Sequence, residues 1–121
     1  MKKLIFISFF FLLATFVSPK TYVSSHFKIK ETGTSYGDWE PSRVLIDLVE
    51  YRDRIIIYSN KTQIYNFAIT STNVYYDRIE VKSIVEDENY KYGNLIFTYY
   101  LDKIYLEFIY DDISFIYFIK Q

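Results

Sequence analysis

Residues 94–120 read NLIFTYYLDKIYLEFIYDDISFIYFIK, three short runs in which every second side chain is large and either apolar or aromatic. This period of two is typical of β-strands. Asp102-Lys103 and Asp111-Asp112 separate the runs, and such residues tolerate tight turns. The runs therefore predict antiparallel strands that pair in sequence order. The predicted strands are 94–101, 104–110 and 113–120.

The same pattern extends back to Arg43, with turn-forming pairs at Arg52-Asp53, Asn60-Lys61 and Gly93-Asn94. The links are too short for the helical crossovers that parallel strands require. The earlier predicted strands are 43–50, 54–59, 63–70 and 78–86, with a weaker one at 26–31. The fold class is therefore all-β, an antiparallel meander of about seven to eight short strands. Because every connection is short, we favour a curled, barrel-like sheet, and a two-sheet sandwich is the alternative.

One face of these strands is predicted to form the core. Its members are Val44, Ile46, Leu48, Ile55, Ile57, Tyr65, Phe67, Ile69, Ile79, Val81, Val85, Leu95, Phe97, Tyr99, Leu106, Phe108, Tyr110, Phe115, Tyr117 and Ile119. The opposite face is not cleanly polar, since it carries Ile56, Tyr58, Ile96, Tyr100, Tyr105, Ile109, Ile116 and Phe118. Part of this second face must therefore also be covered.

The N-terminal segment has the pattern of a secretory signal peptide, because two lysines precede an apolar run over residues 4–17. That run is shorter than the roughly 20 residues that cross a bilayer as a helix. We therefore expect no stable membrane span in the mature chain and predict export to the periplasm or the extracellular space.

The boundary of this leader is suggested by small side chains. Val23-Ser24-Ser25 places such residues immediately before His26, as signal peptidase requires. The sequence thus predicts a signal peptide at 1–25 and a single β-domain at 26–121.

Charge and cysteine content exclude several classes of partner. The formal net charge is −1, and it becomes more negative when Lys2, Lys3 and Lys20 leave with the leader. A weakly acidic surface argues against nucleic acid, whose phosphates require a concentrated basic patch. The chain contains no cysteine, so neither disulfides nor lipid attachment to a thiol are available.

Side chains that commonly carry catalysis are scarce. His26 is the only histidine and lies at the predicted mature N-terminus, where chain ends fray, so a Ser-His-Asp site is not expected. One histidine without cysteine cannot supply an ordinary zinc site, and no Gly-rich phosphate loop is present. We therefore predict no enzyme activity, no metal and no cofactor.

Paired carboxylates are the remaining route to catalysis, through Asp102, Glu107, Asp111 and Asp112 or through 86–88. A glycosidase-type hydrolase needs two carboxylates that face each other across a cleft. We favour a structural interpretation, in which Asp102, Asp111 and Asp112 form turns, Glu107 faces solvent and the acidic trio solvates a loop. The acidic trio also lacks the spacing of a calcium loop.

The segment 35–41, SYGDWEP, places the only tryptophan between glycine and proline breaks ahead of a strand. Trp39 with Tyr36 suits stacking on a sugar or anchoring of a partner. We favour the structural interpretation, in which Trp39 plugs the open end of the barrel. The candidate ligand- or partner-binding residues are Tyr36, Trp39, Tyr58, Tyr100 and Tyr105.

A second pattern runs through the earlier strands: Trp39, Val44, Ile46-Asp47-Leu48, Ile55-Ile56-Ile57-Tyr58-Ser59 and Gln63-Ile64-Tyr65. This pattern resembles short exported all-β proteins of unknown function that are common in Bacteroidota. Those proteins often carry cysteines and Asp-x-x-Gly turns in the later strands, which this chain lacks. The resemblance implies export and an all-β fold, and it transfers no functional residue.

Together these observations favour a non-catalytic exported β-domain that binds a ligand or an envelope protein through a Tyr-rich surface. One alternative is a small barrel carrier that encloses an apolar ligand. Another is the carboxylate-based hydrolase. The apolar strands at 94–120 and the weak first strand also leave sheet edges through which the chain could self-associate.

Overall fold

The structure is a computed structural model that describes residues 20–31, 33–49 and 53–120. The strands in this part of the chain are β1 (Lys20–Glu31), β2 (Glu40–Val49), β3 (Arg54–Tyr58), β4 (Thr62–Val74), β5 (Ile79–Glu86), β6 (Tyr92–Tyr99), β7 (Lys103–Ile109) and β8 (Ile113–Lys120). Each pairs antiparallel with its sequence neighbours, and β1 also pairs with β8, so the sheet closes into a barrel. The predicted antiparallel meander with a barrel-like shape is confirmed, and the two-sheet sandwich is not the fold.

Tight turns connect the last three strands, as their acidic residues predict. The backbone N–H of Tyr100 donates to the carbonyl oxygen of Lys103 at 2.9 Å, and that of Tyr110 donates to Ile113 at 2.8 Å. Each bond closes a hairpin around two turn residues. The short turns keep consecutive strands adjacent, which is why the chain order and the order around the barrel coincide.

The first strand is longer than predicted. β1 begins at Lys20, and its N-terminal part pairs with β2. Tyr22 and Ser24 in this part are 7% and 0% exposed. The predicted signal-peptide boundary at Ser25 thus falls within β1, and a cut there would remove both buried side chains. The rest of the predicted leader, residues 1–19, lies outside the described residues.

Inward-pointing aromatic rings pack against each other inside the barrel. The ring centroids of Tyr65 and Phe108 are 4.8 Å apart, those of Phe67 and Phe97 5.3 Å, and those of Phe108 and Phe115 4.9 Å. Buried leucine, isoleucine and valine side chains surround them. This packing stabilises the barrel without disulfides, because each large ring removes much apolar surface from water.

The predicted core residues are buried except for Ile69, which is exposed, and Phe115, which is partly buried and packs against the core cluster. Ile69 is 50% exposed. A β-bulge between Ile69 and Ser71 shifts the pairing of β4 with β5, so the simple alternation does not continue there. The structure adds Tyr22 and Ile104 to the core, which the sequence prediction did not include.

The strands expected to form exposed edges pair with each other. Ser24 Oγ on β1 donates to the carbonyl oxygen of Phe118 on β8 at 2.9 Å, where a bulge interrupts the ladder. Closure therefore removes the sheet edges at β1 and β8. Among the described residues, no helix has the length and apolar character needed to cross a membrane.

The link between β1 and β2 folds back over the outer wall of the barrel. The backbone N–H of Gly37 donates to the carbonyl oxygen of Ile29 at 3.3 Å. Tyr36 Oη donates to Glu107 Oε2 on β7 at 2.7 Å. Ser114 on β8 is outward-facing yet only 5% exposed. The link thus covers part of the apolar second face that the sequence left unpartnered.

Candidate functional site: an outer aromatic cleft

Three neighbouring strands each place one ring side chain in a row on the outer wall. His26 on β1 lies opposite Phe118 on β8, and Phe118 lies opposite Tyr105 on β7. Because directly opposed residues of antiparallel strands project from the same face, these side chains are neighbours. Trp39, at the end of the link before β2, packs onto the row. These four side chains form the outer aromatic cleft.

The rings of the cleft meet in defined geometries. Trp39 stacks on Tyr105 with a centroid distance of 5.9 Å and an interplanar angle of 28°. It meets Phe118 edge-on at 6.0 Å and 64°. Phe118 also contacts Tyr105 at 5.5 Å and His26 at 6.3 Å. The cleft encloses about 240 Å³, which is below the about 300–1,000 Å³ of drug-sized pockets and suits a single ring-sized group.

Ammonium groups flank the cleft on two sides. Lys28 Nζ lies 4.4 Å from the ring centroid of Trp39. Lys103 Nζ lies 5.1 Å from the Tyr100 ring and 5.7 Å from the Tyr105 ring. Neither lysine forms a salt bridge with a carboxylate of the described residues. The cations are therefore held by ring faces and leave the edge of the cleft positively charged.

Tyr36 anchors the link that carries Trp39. Its hydroxyl donates to Glu107 Oε2, while Lys28 and Lys30 lie over its ring at 5.3 and 4.8 Å. Burial, and then the hydrogen bond to Glu107, raise the pKa of the Tyr36 phenol. The phenol thus remains a proton donor at neutral pH, and its role in this structure is to hold the link against β7.

The predicted binding residues do not all come together. Tyr100 meets Tyr105 edge-on at 5.9 Å, so it extends the cleft toward the turn before β7. Tyr36 and Trp39 lie on the same wall through their shared contact with Lys28. Tyr58 lies apart on β3, where its side chain is 42% exposed. The interpretation of Trp39 as a plug of the barrel end is wrong, because its ring packs on the outward-facing Tyr105 and Phe118.

Sequence reasoning missed two members of the cleft. Alternation places Phe118 on the second face. Nothing in the sequence makes it a better candidate for a binding site than the other apolar residues of that face. The predicted cut directly before His26 places this residue at a frayed terminus. In the structure Ser25 Oγ bonds His26 Nδ1 at 2.9 Å within a paired strand, which orients the imidazole. The cross-strand pairing of residues 26, 118 and 105 is the signal that identifies the site.

The carboxylates considered for catalysis are dispersed. Asp102 and Asp111 lie in the turns at opposite ends of β7, about 25–30 Å apart at about 3.3 Å per residue. Asp112 bonds the Lys91 ammonium, which holds the pKa of that carboxyl below its usual range. Glu107 accepts the bond from Tyr36. No pair of these groups faces another across the outer aromatic cleft.

Asp87, the middle residue of the acidic trio at 86–88, has a structural role in its turn. Asp87 Oδ1 accepts hydrogen bonds from the backbone N–H groups of Asn89 and Lys91, both at 2.9 Å. Such bonds cap a turn and satisfy backbone donors. The part of the chain that the structure describes contains no group of three or more side chains suited to hold a metal ion.

Comparison of the chain with protein-family models, with curated proteins and with solved structures found no match.

Proposed function

We propose that the protein is an exported, non-catalytic β-barrel that binds a saccharide in the outer aromatic cleft. The observation that supports this most strongly is the cross-strand row of His26, Phe118 and Tyr105 with Trp39 packed onto it. Aromatic faces carry negative charge density and attract the polarised C–H groups of a sugar ring. The sugar hydroxyls would stay at the rim, where polar side chains are available.

Polar groups at the rim suit this ligand. The imidazole of His26 has two ring nitrogens that can form hydrogen bonds, and its Nδ1 is engaged by Ser25 Oγ. Its Nε2 is therefore the atom assigned to a sugar hydroxyl. Lys28 and Lys103 can donate to ring oxygens, hydroxyls or the carboxylate of an acidic sugar. Acidic saccharides are accordingly expected to bind more tightly than neutral ones.

The rigidity of the site favours binding. The three wall residues lie on paired strands, and the Trp39 link is held by the bond between Tyr36 and Glu107. A preorganised site loses less side-chain freedom when a ligand binds, which improves affinity. A binding role also agrees with the chemistry of the cleft, since the described residues that line it are three aromatic side chains and a histidine, which suit ring stacking.

Export is supported by the two lysines and the apolar run that open the sequence. Removal of this leader upstream of Lys20 leaves β1 intact. An envelope or extracellular location would bring the barrel into contact with polysaccharides, which are abundant there.

Calorimetric titration tests the proposal. The probes are soluble oligomers of galacturonate, of N-acetylglucosamine and of glucose, added to the wild-type protein and to the variants Trp39→Ala and Phe118→Ala. We expect at least one oligomer to bind with a Kd below about 1 mM, and each variant to weaken it at least tenfold, as for an aromatic hot spot.

Tyr76→Ala provides the matched control, because this exposed tyrosine lies in the turn between β4 and β5 and is 74% exposed. Its affinity should equal that of the wild type. Binding of none of the oligomers, or equal loss in Tyr76→Ala and Trp39→Ala, would contradict the proposal and redirect attention to a protein partner.

A further inference from the structure

Three exposed apolar side chains form a row on the outer wall of β1, β2 and β3. Val23 on β1 lies opposite Leu45 on β2, and Leu45 lies opposite Tyr58 on β3. Directly opposed residues of antiparallel strands project from the same face, so the three side chains are neighbours. They are 49%, 47% and 42% exposed. We refer to them as the outer apolar row.

The outer apolar row is the centre of a larger apolar surface. Ile56 lies two positions before Tyr58 on β3, and it is directly opposite Ile64 on β4. Both isoleucines are half-buried and project outward, as Tyr58 does. Contiguous apolar side chains on a surface are unfavourable in water and commonly mark a site of association. The wall over β1–β4 therefore offers a face that a second apolar surface could cover.

Two charged side chains border this row along β2. Arg43, Leu45 and Asp47 occupy alternate positions of the strand, so all three share its outward face. Each charge lies about 7 Å from Leu45, one on either side, at about 3.3 Å per residue. Thr21 Oγ1 donates to one oxygen of Asp47, which leaves the carboxylate further capacity as an acceptor. Neither Arg43 nor Asp47 forms a salt bridge with a described residue.

This order of charges is complementary to itself under a twofold rotation. When two copies pack their rows face to face with antiparallel β2 strands, the axis passes between the two Leu45 side chains. Arg43 of each copy then faces Asp47 of the other, while Val23 and Tyr58 each face their own counterparts. Parallel β2 strands would instead place like charges opposite each other, which is unfavourable. The surface therefore suits a second copy in one orientation.

We propose that the protein forms a homodimer through the outer apolar row, with its twofold axis at Leu45. The apolar row is the centre of the interface, and two ion pairs between Arg43 and Asp47 border it. Such an interface is isologous, the usual arrangement in homodimers. Because it spans only a few strands, we expect a reversible dimer with a Kd between about 1 and 100 µM. Association uses a face of the wall, since closure pairs the edges of β1 and β8.

Sedimentation velocity of the purified protein tests this interface. Over a concentration range from about 1 to 500 µM, the wild type should shift from monomer to dimer. Leu45→Lys should raise the dimer Kd at least tenfold, because it places two ammonium groups together on the axis. The barrel should remain folded, since the side chain at this position faces outward.

Reversal of the two charges tests the antiparallel orientation. Arg43→Glu should raise the dimer Kd at least tenfold, because carboxylates of the two copies then face each other. Combination with Asp47→Arg restores opposite charges across the interface. The double variant should therefore recover most of the wild-type affinity, although each single reversal weakens the dimer.

Ile84→Lys is the matched control, because Ile84 is 47% exposed on β5 and lies outside the outer apolar row. Its dimer Kd should equal that of the wild type. The proposal is overturned if the wild type remains monomeric over the whole range, which would assign the row to an unrelated partner. It is also overturned if Ile84→Lys weakens the dimer as much as Leu45→Lys, or if the double variant is as weak as Arg43→Glu. No saccharide is present, so failure of the saccharide proposal would not affect this test.

Discussion

The hydroxyl of Tyr36 donates to Glu107 Oε2 at 2.7 Å and joins the link before β2 to a strand that follows 71 residues later. This bond holds Trp39 over Tyr105 and Phe118. It therefore connects one polar contact on the outer wall to the shape of the cleft proposed to bind saccharide.

Replacing Tyr36 by phenylalanine is expected to loosen this link. The variant retains the ring and its contacts with Lys28 and Lys30 but loses the hydrogen bond to a carboxylate. We expect the barrel to remain folded and saccharide affinity to fall severalfold, because Trp39 is then less well preorganised. Calorimetry against the tightest oligomer measures the change.

Tyr92→Phe is the control for Tyr36→Phe, since Tyr92 also bonds a carboxylate, that of Glu86, on an exposed part of the surface. Unchanged affinity in Tyr36→Phe would show that the bond does not position the cleft.

Glycine at position 93 is required by the close approach of β7 to β6. A Cβ at this position would lie 2.7 Å from the carbonyl oxygen of Ile109 and 2.9 Å from the Tyr110 ring. Gly93→Ala should therefore lower the free energy of unfolding by about 1–3 kcal/mol through overpacking. Urea denaturation measures this change.

Gly37→Ala tests the same substitution without the clash, because the nearest atom to its Cβ is the Ile29 carbonyl oxygen at 3.9 Å. Its stability should stay close to that of the wild type. Equal stability of Gly93→Ala and the wild type would mean that the Tyr110 ring does not pack against this glycine.

Buried tyrosines make the barrel sensitive to alkali. Burial raises the pKa of Tyr65, Tyr110 and Tyr117 above the ordinary value near 10. The folded state thus keeps these phenols protonated at a pH where the unfolded chain ionises. Stability is fully present below about pH 10 and decreases as pH rises further, by up to about 1.4 kcal/mol per pH unit for each such tyrosine.

Urea denaturation between pH 8 and pH 12 measures this loss. Tyr110→Phe should reduce the slope, and at neutral pH it should cost little because Tyr110 Oη has no hydrogen-bond partner in the described structure. If the free energy of unfolding decreased with pH equally steeply in Tyr110→Phe and in the wild type, the raised pKa of Tyr110 would be contradicted.

The pairing of β1 predicts where the mature chain begins. Tyr22 and Ser24 are buried, and Ser24 Oγ also joins β1 to β8. If the chain is exported as proposed, we expect N-terminal sequencing of the mature form to find residues 20–25 retained. A chain that starts at Lys20 should unfold cooperatively, whereas one that starts at His26 should lose most of its stability. A stable exported form that begins at His26 would refute this expectation.

The alternation of apolar residues was sufficient to locate the strands. Their pairing could be predicted because short turns place consecutive strands side by side. It failed at Ile69, where a bulge interrupts the period, and at β1, where Tyr22 fell in the predicted leader. The N-terminal part of β1 contains the small residues that also mark a cleavage site. The local sequence therefore does not distinguish a buried first strand from the end of a leader.

The site was only partly predictable for a different reason. Trp39, Tyr100 and Tyr105 stood out as aromatic residues, but their grouping depends on the register between β1, β8 and β7. The register between β1 and β8 is set by barrel closure, which joins residues as distant as Ser24 and Phe118, 94 positions apart in the chain.

Fluorescence of Trp39 tests the saccharide proposal most directly, because the chain has one tryptophan and it lies in the outer aromatic cleft. Titration with the oligomer that binds most tightly in calorimetry should give a saturable change in emission with the same Kd. A calorimetric binding signal without any change in Trp39 emission would place the sugar elsewhere and contradict the account.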